Sequence, residues 1–214
     1  MRTFDRQKEA VYEFIWGGET AGWLVAEPDY SNATLVMTGR YKKLAIDNAL
    51  MVMYALATAN KGTVLFHAAV VSHKDKGYMF LGSSGTGKST HVRLWLEHIE
   101  GTELVNDDNP VVCDGVVYGS PWSGKTPCYR NIWAPVGAIT RIEQKPENTI
   151  RRMAPVEAFA TLLPAVSSMK WDKRVYEGIC RCISRLLRTT PVYLLGCRPD
   201  EEAAHVSHDA IAVK

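Results

Sequence analysis

FLGSSGTGKST, residues 80–90, places three glycines, one lysine and several hydroxyl groups directly after an apolar run. The segment fits the pattern GxxxxGK[ST], in which glycines let the backbone wrap so that its N–H groups point inward at a phosphate. A predicted strand precedes this loop, and the helix that follows has Val92, Trp95, Leu96 and Ile99 on one face. This order predicts a phosphate-binding loop. The alternative is a glycine-rich turn that only packs a strand against a helix.

Two side chains of the loop are expected to do more than shape it. The Lys88 side chain can reach terminal phosphates, and the Ser89 hydroxyl can join the coordination of Mg²⁺. The helix that starts here adds the positive end of its dipole to the same site.

An acidic pair, Asp107 and Asp108, follows on the next predicted strand, in LVNDDNP. Adjacent carboxylates repel each other unless a cation lies beside them, and a Mg²⁺ ion held by Ser89 would be such a cation. The alternative is a solvated turn, for which Asn-Asp-Asp-Asn-Pro has typical chemistry. Because a candidate phosphate loop comes before the pair, we favour the functional interpretation.

His67 lies in the apolar segment LFHAAVV, ahead of the loop. A single histidine on an apolar strand is commonly a core residue with satisfied hydrogen bonds. If residues 63–71 and 77–82 form neighbouring strands, however, His67 comes near the phosphate end of the loop. There an imidazole can ligate a metal or donate to an oxyanion, so from the residues alone both interpretations stay open.

Composition limits the class of protein. The chain has 214 residues, 46% of them apolar, and a net charge of +2, which gives no general attraction to nucleic acid or to a membrane surface. Five scattered cysteines show neither a metal-ligand spacing nor a CxxC pair. The first residues are charged where a signal peptide would be apolar, and no run approaches the ~20 apolar residues of a membrane span. We therefore expect a cytoplasmic protein with reduced thiols and neither nucleic acid nor membrane as partner.

Hydrophobic periodicity predicts one α/β domain over residues 1–214. We expect strands and a helix in 1–62, a nucleotide-binding core in 63–142 and a mainly helical part in 143–214. One strand is predicted over 63–71, and a hairpin around Asp114-Gly115, a dipeptide typical of type I′ turns. The predicted helices cover 44–59, 86–99, 155–163, 172–188 and a segment from about 199.

Three segments together resemble the HPr kinase/phosphorylase and ATP-dependent phosphoenolpyruvate carboxykinase superfamily: FHAAVVSHKDKGYMFLGSSGTGKST, ELVNDD and YGSPWSGKTPCYRNIWAPVGAI. In that superfamily a histidine precedes the phosphate loop by a similar distance, the loop reads GxSGxGK[ST], and a DD pair follows on the next strand. The resemblance covers about residues 63–142. It implies an α/β fold: a single P-loop-containing domain of the HPr kinase C-terminal/phosphoenolpyruvate carboxykinase type, with a mixed sheet and flanking helices.

The resemblance also implies roles for the residues that match. Lys88 and Ser89 would bind ATP phosphates and Mg²⁺, Asp108 would be the second metal partner, and Asp107 would be the base that takes the proton of an incoming hydroxyl. His67 matches the metal-proximal histidine, which places Asp107, Lys88 and His67 in the catalytic set. The residues expected to contact ATP are Gly82, Ser83, Ser84, Gly85, Thr86, Gly87, Lys88, Ser89, Thr90 and, from a later loop, Lys125.

The chain departs from both branches of the superfamily. The carboxykinases are much longer, and the lysine expected about twenty residues before the histidine is missing, with Asn48 nearby. HPr kinases usually have an acidic residue after the loop serine, where this chain has Thr90. We therefore interpret it as a compact HPr-kinase-like protein whose acceptor need not be HPr.

The expected activity is ATP- and Mg²⁺-dependent transfer of a γ-phosphate to a hydroxyl, expected to be a serine of a small protein or peptide. Two alternatives stay open: a nucleotide hydrolase that acts as a switch, and a non-catalytic nucleotide-binding regulator. The sequence also leaves a homo-oligomer open.

Three further features are secondary candidates. Lys125 could add a cation to the triphosphate. Trp122 in the same loop could stack on a substrate, although a tryptophan in a loop is more often simply packed. Arg130 lies near the position of a phosphate-binding arginine in the carboxykinases. One helix face could dock an acidic partner, although such faces are usually only solvated; it carries Arg174, Arg181, Arg185 and Arg188.

Overall fold

The computed structural model describes residues 2–6, 9–124, 126, 128 and 130–212. Within these ranges the chain forms a small antiparallel sheet, a large mixed sheet and five helices. The small sheet has the order β1 (Arg2–Arg6), β2 (Glu9–Trp16), β3 (Glu19–Ala26) and β4 (Ala33–Met37). The helices are α1 (Lys42–Ala59), α2 (Lys88–His98), α3 (Pro155–Ala165), α4 (Lys173–Thr189) and α5 (Glu201–Ile211).

The large sheet runs in the order β5-β9-β10-β11-β7-β6-β8, and β13 pairs with both β11 and β12. Strands β7, β11 and β13 are parallel, and the other pairs of this sheet are antiparallel. This mixed sheet with flanking helices confirms the predicted α/β class. The strand bounds are β5 (Thr63–Leu65), β6 (Ala68–His73), β7 (Lys76–Leu81), β8 (Glu103–Asp108), β9 (Val111–Cys113), β10 (Val116–Tyr118), β11 (Trp133–Gln144), β12 (Thr149–Arg152) and β13 (Val192–Cys197).

Alternating residues of β7 belong to two different cores. Met79 and Leu81 pack in a core with residues of α1, α3 and α4. Tyr78 and Phe80 face the other way and pack with residues of α2 and α5. Because a strand presents successive side chains to opposite faces, this apolar run is buried between two helical layers. The loop after Leu81 therefore emerges at the sheet edge with a helical layer on each side.

The single strand predicted over 63–71 is wrong. The chain breaks at Phe66 and His67, so β5 pairs with β9 while β6 pairs with β7 and β8. The physical reason lies in two backbone hydrogen bonds: the Phe66 N–H donates to Pro110 O at 3.1 Å, and the His67 N–H donates to Ala165 O at 2.7 Å. The break places His67 outside the sheet ladder, at the end of α3.

The predicted hairpin around Asp114-Gly115 is confirmed, with φ angles of 46° and 79° that suit a type I′ turn. Residues 143–212 contain α3, α4 and α5 but also β12 and β13, which extend the main sheet. The division of the chain at residues 62 and 142 stays a prediction; β11 runs across the second of these points. None of the described helices is both long and apolar enough to span a bilayer.

Candidate active site

The glycine-rich loop joins the end of β7 to the start of α2, as expected from its pattern. Gly85 and Gly87 have φ angles of 82° and 105°, a conformation that other residues rarely adopt. Gly82 lacks a side chain for another reason, since a Cβ there would lie 3.1 Å from the Thr86 side chain. Thr86 in turn donates to Ser83 O from both its N–H, at 3.1 Å, and its hydroxyl, at 2.7 Å. These constraints fix the curvature of the loop.

Helix α2 starts with its donors uncapped by any side chain. Its N-cap is Gly87, which has no side-chain acceptor, and its first turn contains no acidic residue. Backbone N–H groups at a helix N-terminus are positive and lack intrahelical partners, so they favour an anion. The loop thus ends in a position where a phosphate group could satisfy several backbone donors.

Strand register brings three strand ends together beside this loop. Ala68, the first residue of β6, pairs with Leu81, the last residue of β7, and with Asp108, the last residue of β8. His67 directly precedes Ala68, so it lies beside both the loop and Asp108. The proximity expected from neighbouring strands is therefore observed.

Lys88, His67 and Asp108 form a chain of polar contacts. The Lys88 Nζ atom lies 2.9 Å from Gly82 O and 3.0 Å from His67 Nε2, and His67 Nδ1 lies 3.0 Å from Asp108 Oδ1. An ammonium group can only donate, so His67 Nε2 accepts, and its Nδ1–H donates to the carboxylate. Asp108 thereby fixes both the orientation and the tautomer of His67.

Burial lowers the pKa of the Lys88 ammonium, and the nearby carboxylates Asp108 and Asp107 only partly offset this. A lysine whose charged form is disfavoured by desolvation gains from an additional anion beside it. The environment of Lys88 is thus suited to a phosphate group.

Asp107 is the most unusual residue of the site. It is only 5% exposed, and neither carboxylate oxygen has a hydrogen-bond partner among the described residues. A buried carboxylate without partners costs several kcal/mol, so native proteins usually satisfy it or use it. Its backbone is covered by a loop: the Gly124 N–H donates to Asp107 O at 3.2 Å, and a Cβ at Gly124 would lie 2.5 Å from that oxygen.

A buried network that the sequence did not reveal positions the acidic pair. Asn106 Oδ1 accepts from the Asp108 N–H at 2.9 Å, and Asn106 Nδ2 donates to Ser120 Oγ at 3.2 Å. The Ser120 hydroxyl donates to Asn109 O at 2.7 Å, and Ser167 Oγ lies 2.8 Å from Asn109 Oδ1. The network ties the end of β8 to residues 120–124 and to the segment after α3. The run of polar residues in VNDDN was its sequence signal, but its partners are distant in the chain.

A cleft of about 750 Å³ opens beside the loop; we call it the main cleft. Its walls are His67, residues 81–86, residues 141–145 at the end of β11, and the α3 residues Thr161, Pro164 and Ala165. Such a volume falls in the usual range for sites that bind small molecules.

The other predicted ligand residues have the following places. Ser84 and Ser89 are exposed and Thr90 is partly exposed, all along the loop and the first turn of α2, while Lys125 lies outside the described residues. No group of three or more His, Cys, Asp or Glu side chains in the described ranges is arranged to hold a metal. Mg²⁺ is commonly held by one or two carboxylates with phosphate oxygens and water, so Ser89 and Asp108 stay the predicted pair.

The secondary candidates, Trp122, Arg130 and the arginine face of α4, make contacts within the protein. Trp122 packs on Tyr54 of α1 with ring centroids 5.6 Å apart, and Arg130 pairs with Glu103 at the opposite end of β8 from the acidic pair. The proposed stacking role of Trp122 and phosphate role of Arg130 are therefore not supported. In the arginine face, Arg174 donates to Pro28 O, Arg181 donates to Asn60 Oδ1 at 3.0 Å, and Arg185 lies 3.6 Å from Asp114.

The position of His67 leads to a first prediction. Its side chain is 40% exposed and the asparagine amide can still pair with one neighbour, so His67→Asn should lower the free energy of unfolding by no more than about 1.5 kcal/mol while lowering turnover. A core histidine would show the reverse, with lower stability and unchanged turnover. Thermal unfolding and phosphate-transfer assays separate the two. His205→Asn, on the exposed side of α5, is the matched control.

Comparison with known proteins adds little to this geometry. No protein-family model matches the chain, and no curated protein matches it. Among solved structures, it is similar to the HPr(Ser) kinase/phosphatase from Coxiella burnetii, with 13% sequence identity, covering 68% of this chain and 89% of that chain. The TM-score is 0.34, which makes this a distant structural similarity on which we base no functional argument.

Proposed function

We propose that this chain is an ATP- and Mg²⁺-dependent kinase that transfers a γ-phosphate to the hydroxyl of a serine on a small protein or peptide. The observation that carries the proposal is Asp107, a buried carboxylate with two unpartnered oxygens at the strand end beside the loop. A hydroxyl group that donates to this carboxylate would supply the missing partner.

The residues of the site fit a triphosphate and a divalent cation. The loop and the uncapped start of α2 offer backbone donors, Lys88 offers a desolvated cation, and Ser89 with Asp108 offers oxygen ligands. When bound, Mg²⁺ would neutralise charge on the phosphate oxygens. Lys88 now donates to the carbonyl of Gly82, so it would exchange this partner for a phosphate oxygen when nucleotide binds.

We expect the chain to act mainly by positioning the acceptor hydroxyl and the transferring phosphate. Phosphoryl transfer proceeds through a loose transition state in most analyses, so the attacking hydroxyl keeps its proton until late and the base mainly aligns it. Asp107 would hold the acceptor hydroxyl in line, and His67, held by Asp108, would keep Lys88 directed at the transferring phosphate. The Asp107 side chain is buried, so an acceptor reaches it only after a local displacement of the groups around it.

The same burial favours transfer over hydrolysis. At 5% exposure, Asp107 is shielded from bulk water in the state described here, whereas a hydrolase needs a water molecule at the base. An acceptor that reaches Asp107 would bring its own hydroxyl and keep water out. The switch and regulator alternatives are therefore the less favoured ones.

The decisive experiment measures where labelled γ-phosphate goes. The protein is incubated with labelled ATP, Mg²⁺ and a library of serine-containing peptides, each with a matched alanine peptide. We expect label on serine peptides and none on the alanine counterparts. Release of free phosphate only, at a rate that no peptide changes, would favour the hydrolase alternative. Nucleotide binding without either reaction would favour the regulator.

A further inference from the structure

A second cavity lies on the other side of the glycine-rich loop, between α2 and the turn from β13 to α5. We call it the α2–α5 cavity; its volume is about 410 Å³. It shares residues 85–86, Ile142 and residues 144–145 with the main cleft, so the loop is the wall between them. The walls that belong to it alone are Gly87, Thr90, His91, Leu94, Cys197, Arg198 and Pro199.

We propose that the α2–α5 cavity takes the base of the bound nucleotide, and that this base carries an exocyclic amino group, as adenine does. The inference rests on the proposed function, because it requires a nucleotide on the loop. Beyond the proposed function, it specifies the side of the loop on which the base lies.

The direction follows from Lys88. In loops of this pattern the lysine reaches the β- and γ-phosphates, while the backbone N–H groups hold the α- and β-phosphates. The Lys88 Nζ atom lies beside His67, which lines the main cleft, so the γ-phosphate belongs on that side. The phosphate chain must then run away from His67 along the start of α2. Thr90 follows Ser89 on this path and lines the α2–α5 cavity.

The walls have the chemistry of a base-binding site. Leu94, Ile142 and Cys197 are each no more than 7% exposed and present apolar surface, while Thr90 and Gln144 add polar groups at the rim. Mostly apolar walls with a few polar groups are typical of small-molecule sites. Burial raises the pKa of the Cys197 thiol to about 11, so its side chain stays neutral at pH 7.

His91, which lines the cavity, has a buried ring nitrogen without a hydrogen-bond partner among the described residues. Its ring is 2% exposed, and its Nε2 lies 3.0 Å from Ser207 Oγ. The Ser207 hydroxyl donates to Ala204 O at 2.9 Å and accepts from Trp95 Nε1 at 2.8 Å, so its one proton is already used. On this basis we assign the proton to His91 Nε2, which leaves Nδ1 as an acceptor.

This Nδ1 atom is buried and has no hydrogen-bond partner in the described part of the chain. Burial lowers the pKa of His91 to about 4, so the ring is neutral and Nδ1 keeps its lone pair at pH 7. A donor on the ligand would supply what the protein lacks, and an exocyclic amino group is such a donor. This is why an amino-bearing base is favoured.

The test compares ATP with inorganic tripolyphosphate, which has the phosphates but no base. Pro199 is exposed at the mouth of the α2–α5 cavity, so Pro199→Trp should block the cavity without disturbing the core. We expect the Kd of ATP to rise at least about tenfold while the Kd of tripolyphosphate stays unchanged. Pro146→Trp is the matched control, because Pro146 is also an exposed proline in a bend but lines neither cavity. Thermal unfolding of both variants checks that each is folded.

Other outcomes are equally informative. Unchanged ATP affinity in Pro199→Trp would overturn the inference, and selective loss of ATP in Arg141→Trp would place the base in the main cleft. ITP, which lacks the amino group, should bind at least about fivefold more weakly than ATP, and equal binding would contradict the contact with His91. If wild type bound neither ATP nor tripolyphosphate, the proposed function itself would fail.

Discussion

Asp107→Asn should keep ATP binding and lose phosphate transfer. The amide has the size of the carboxylate but cannot accept the proton of the acceptor hydroxyl, and positioned bases contribute about 10²- to 10⁴-fold to rate. Asp107 makes no hydrogen bond with Lys88 and acts on its charge less than burial and Asp108 do, so the affinity for ATP should change little. Transfer of labelled phosphate and calorimetric titration with ATP measure the two effects separately.

The same substitution should also make the protein more stable. An unpartnered buried carboxylate costs more than an unpartnered buried amide, because the charge loses more hydration. We expect Asp107→Asn to raise the midpoint of thermal unfolding by at least about 2 °C in the absence of ligands. A gain in stability with a loss of activity is typical of residues kept for function.

Two variants at other carboxylates of β8 are compared with Asp107→Asn. Glu103→Gln, at the other end of β8, removes a carboxylate from an exposed position and should change neither transfer nor stability by much. Asp108→Asn should instead raise the Mg²⁺ concentration required for transfer, since a metal ligand is weakened. If Asp107→Asn and Asp108→Asn both abolished ATP binding, the proposed division of roles would be wrong.

The sequence predicted the parts of the site that depend on local pattern. The loop, the hairpin at Asp114-Gly115 and the position of Asp107 and Asp108 at a strand end are all set by a few consecutive residues. Gly85 and Gly87 are examples, because their φ angles of 82° and 105° are readily adopted only by glycine. The residue type alone therefore indicates the backbone conformation. Such features need no knowledge of distant contacts.

The features that the sequence did not predict depend on long-range contacts. The break before β6 arises because His67 N–H donates to Ala165 O, nearly one hundred residues away, and nothing in the apolar run 63–71 indicates it. Trp122 is packed, which is one of the two interpretations that its sequence leaves open, but the sequence does not indicate that its partner is Tyr54 on α1. Strand β12, TIRR, is mostly polar, and its sequence does not indicate a strand because its partner β13 supplies the ladder.

Lys88→Ala should abolish the binding of ATP and of tripolyphosphate alike. Losing one partner of a desolvated charge pair costs about 2 kcal/mol or more, which corresponds to a Kd at least about 30-fold higher. Lys88 is half-buried and its charged form is disfavoured by burial, so much of its stabilisation must come from the incoming phosphates. Lys76→Ala, at the opposite end of β7, removes the same charge from an exposed position and should leave both affinities unchanged.

The affinities for ATP and tripolyphosphate together distinguish the role of Lys88 from the roles of Pro199 and Asp107. Lys88→Ala acts on the phosphates and should weaken ATP and tripolyphosphate equally, whereas Pro199→Trp acts on the base and should weaken ATP only. Asp107→Asn should weaken neither. Isothermal titration of each variant with both ligands in the presence of Mg²⁺ gives the comparison directly. If the ATP affinity of Lys88→Ala stayed within about threefold of wild type, the segment 80–90 would be a packing turn and the kinase proposal would fall with it.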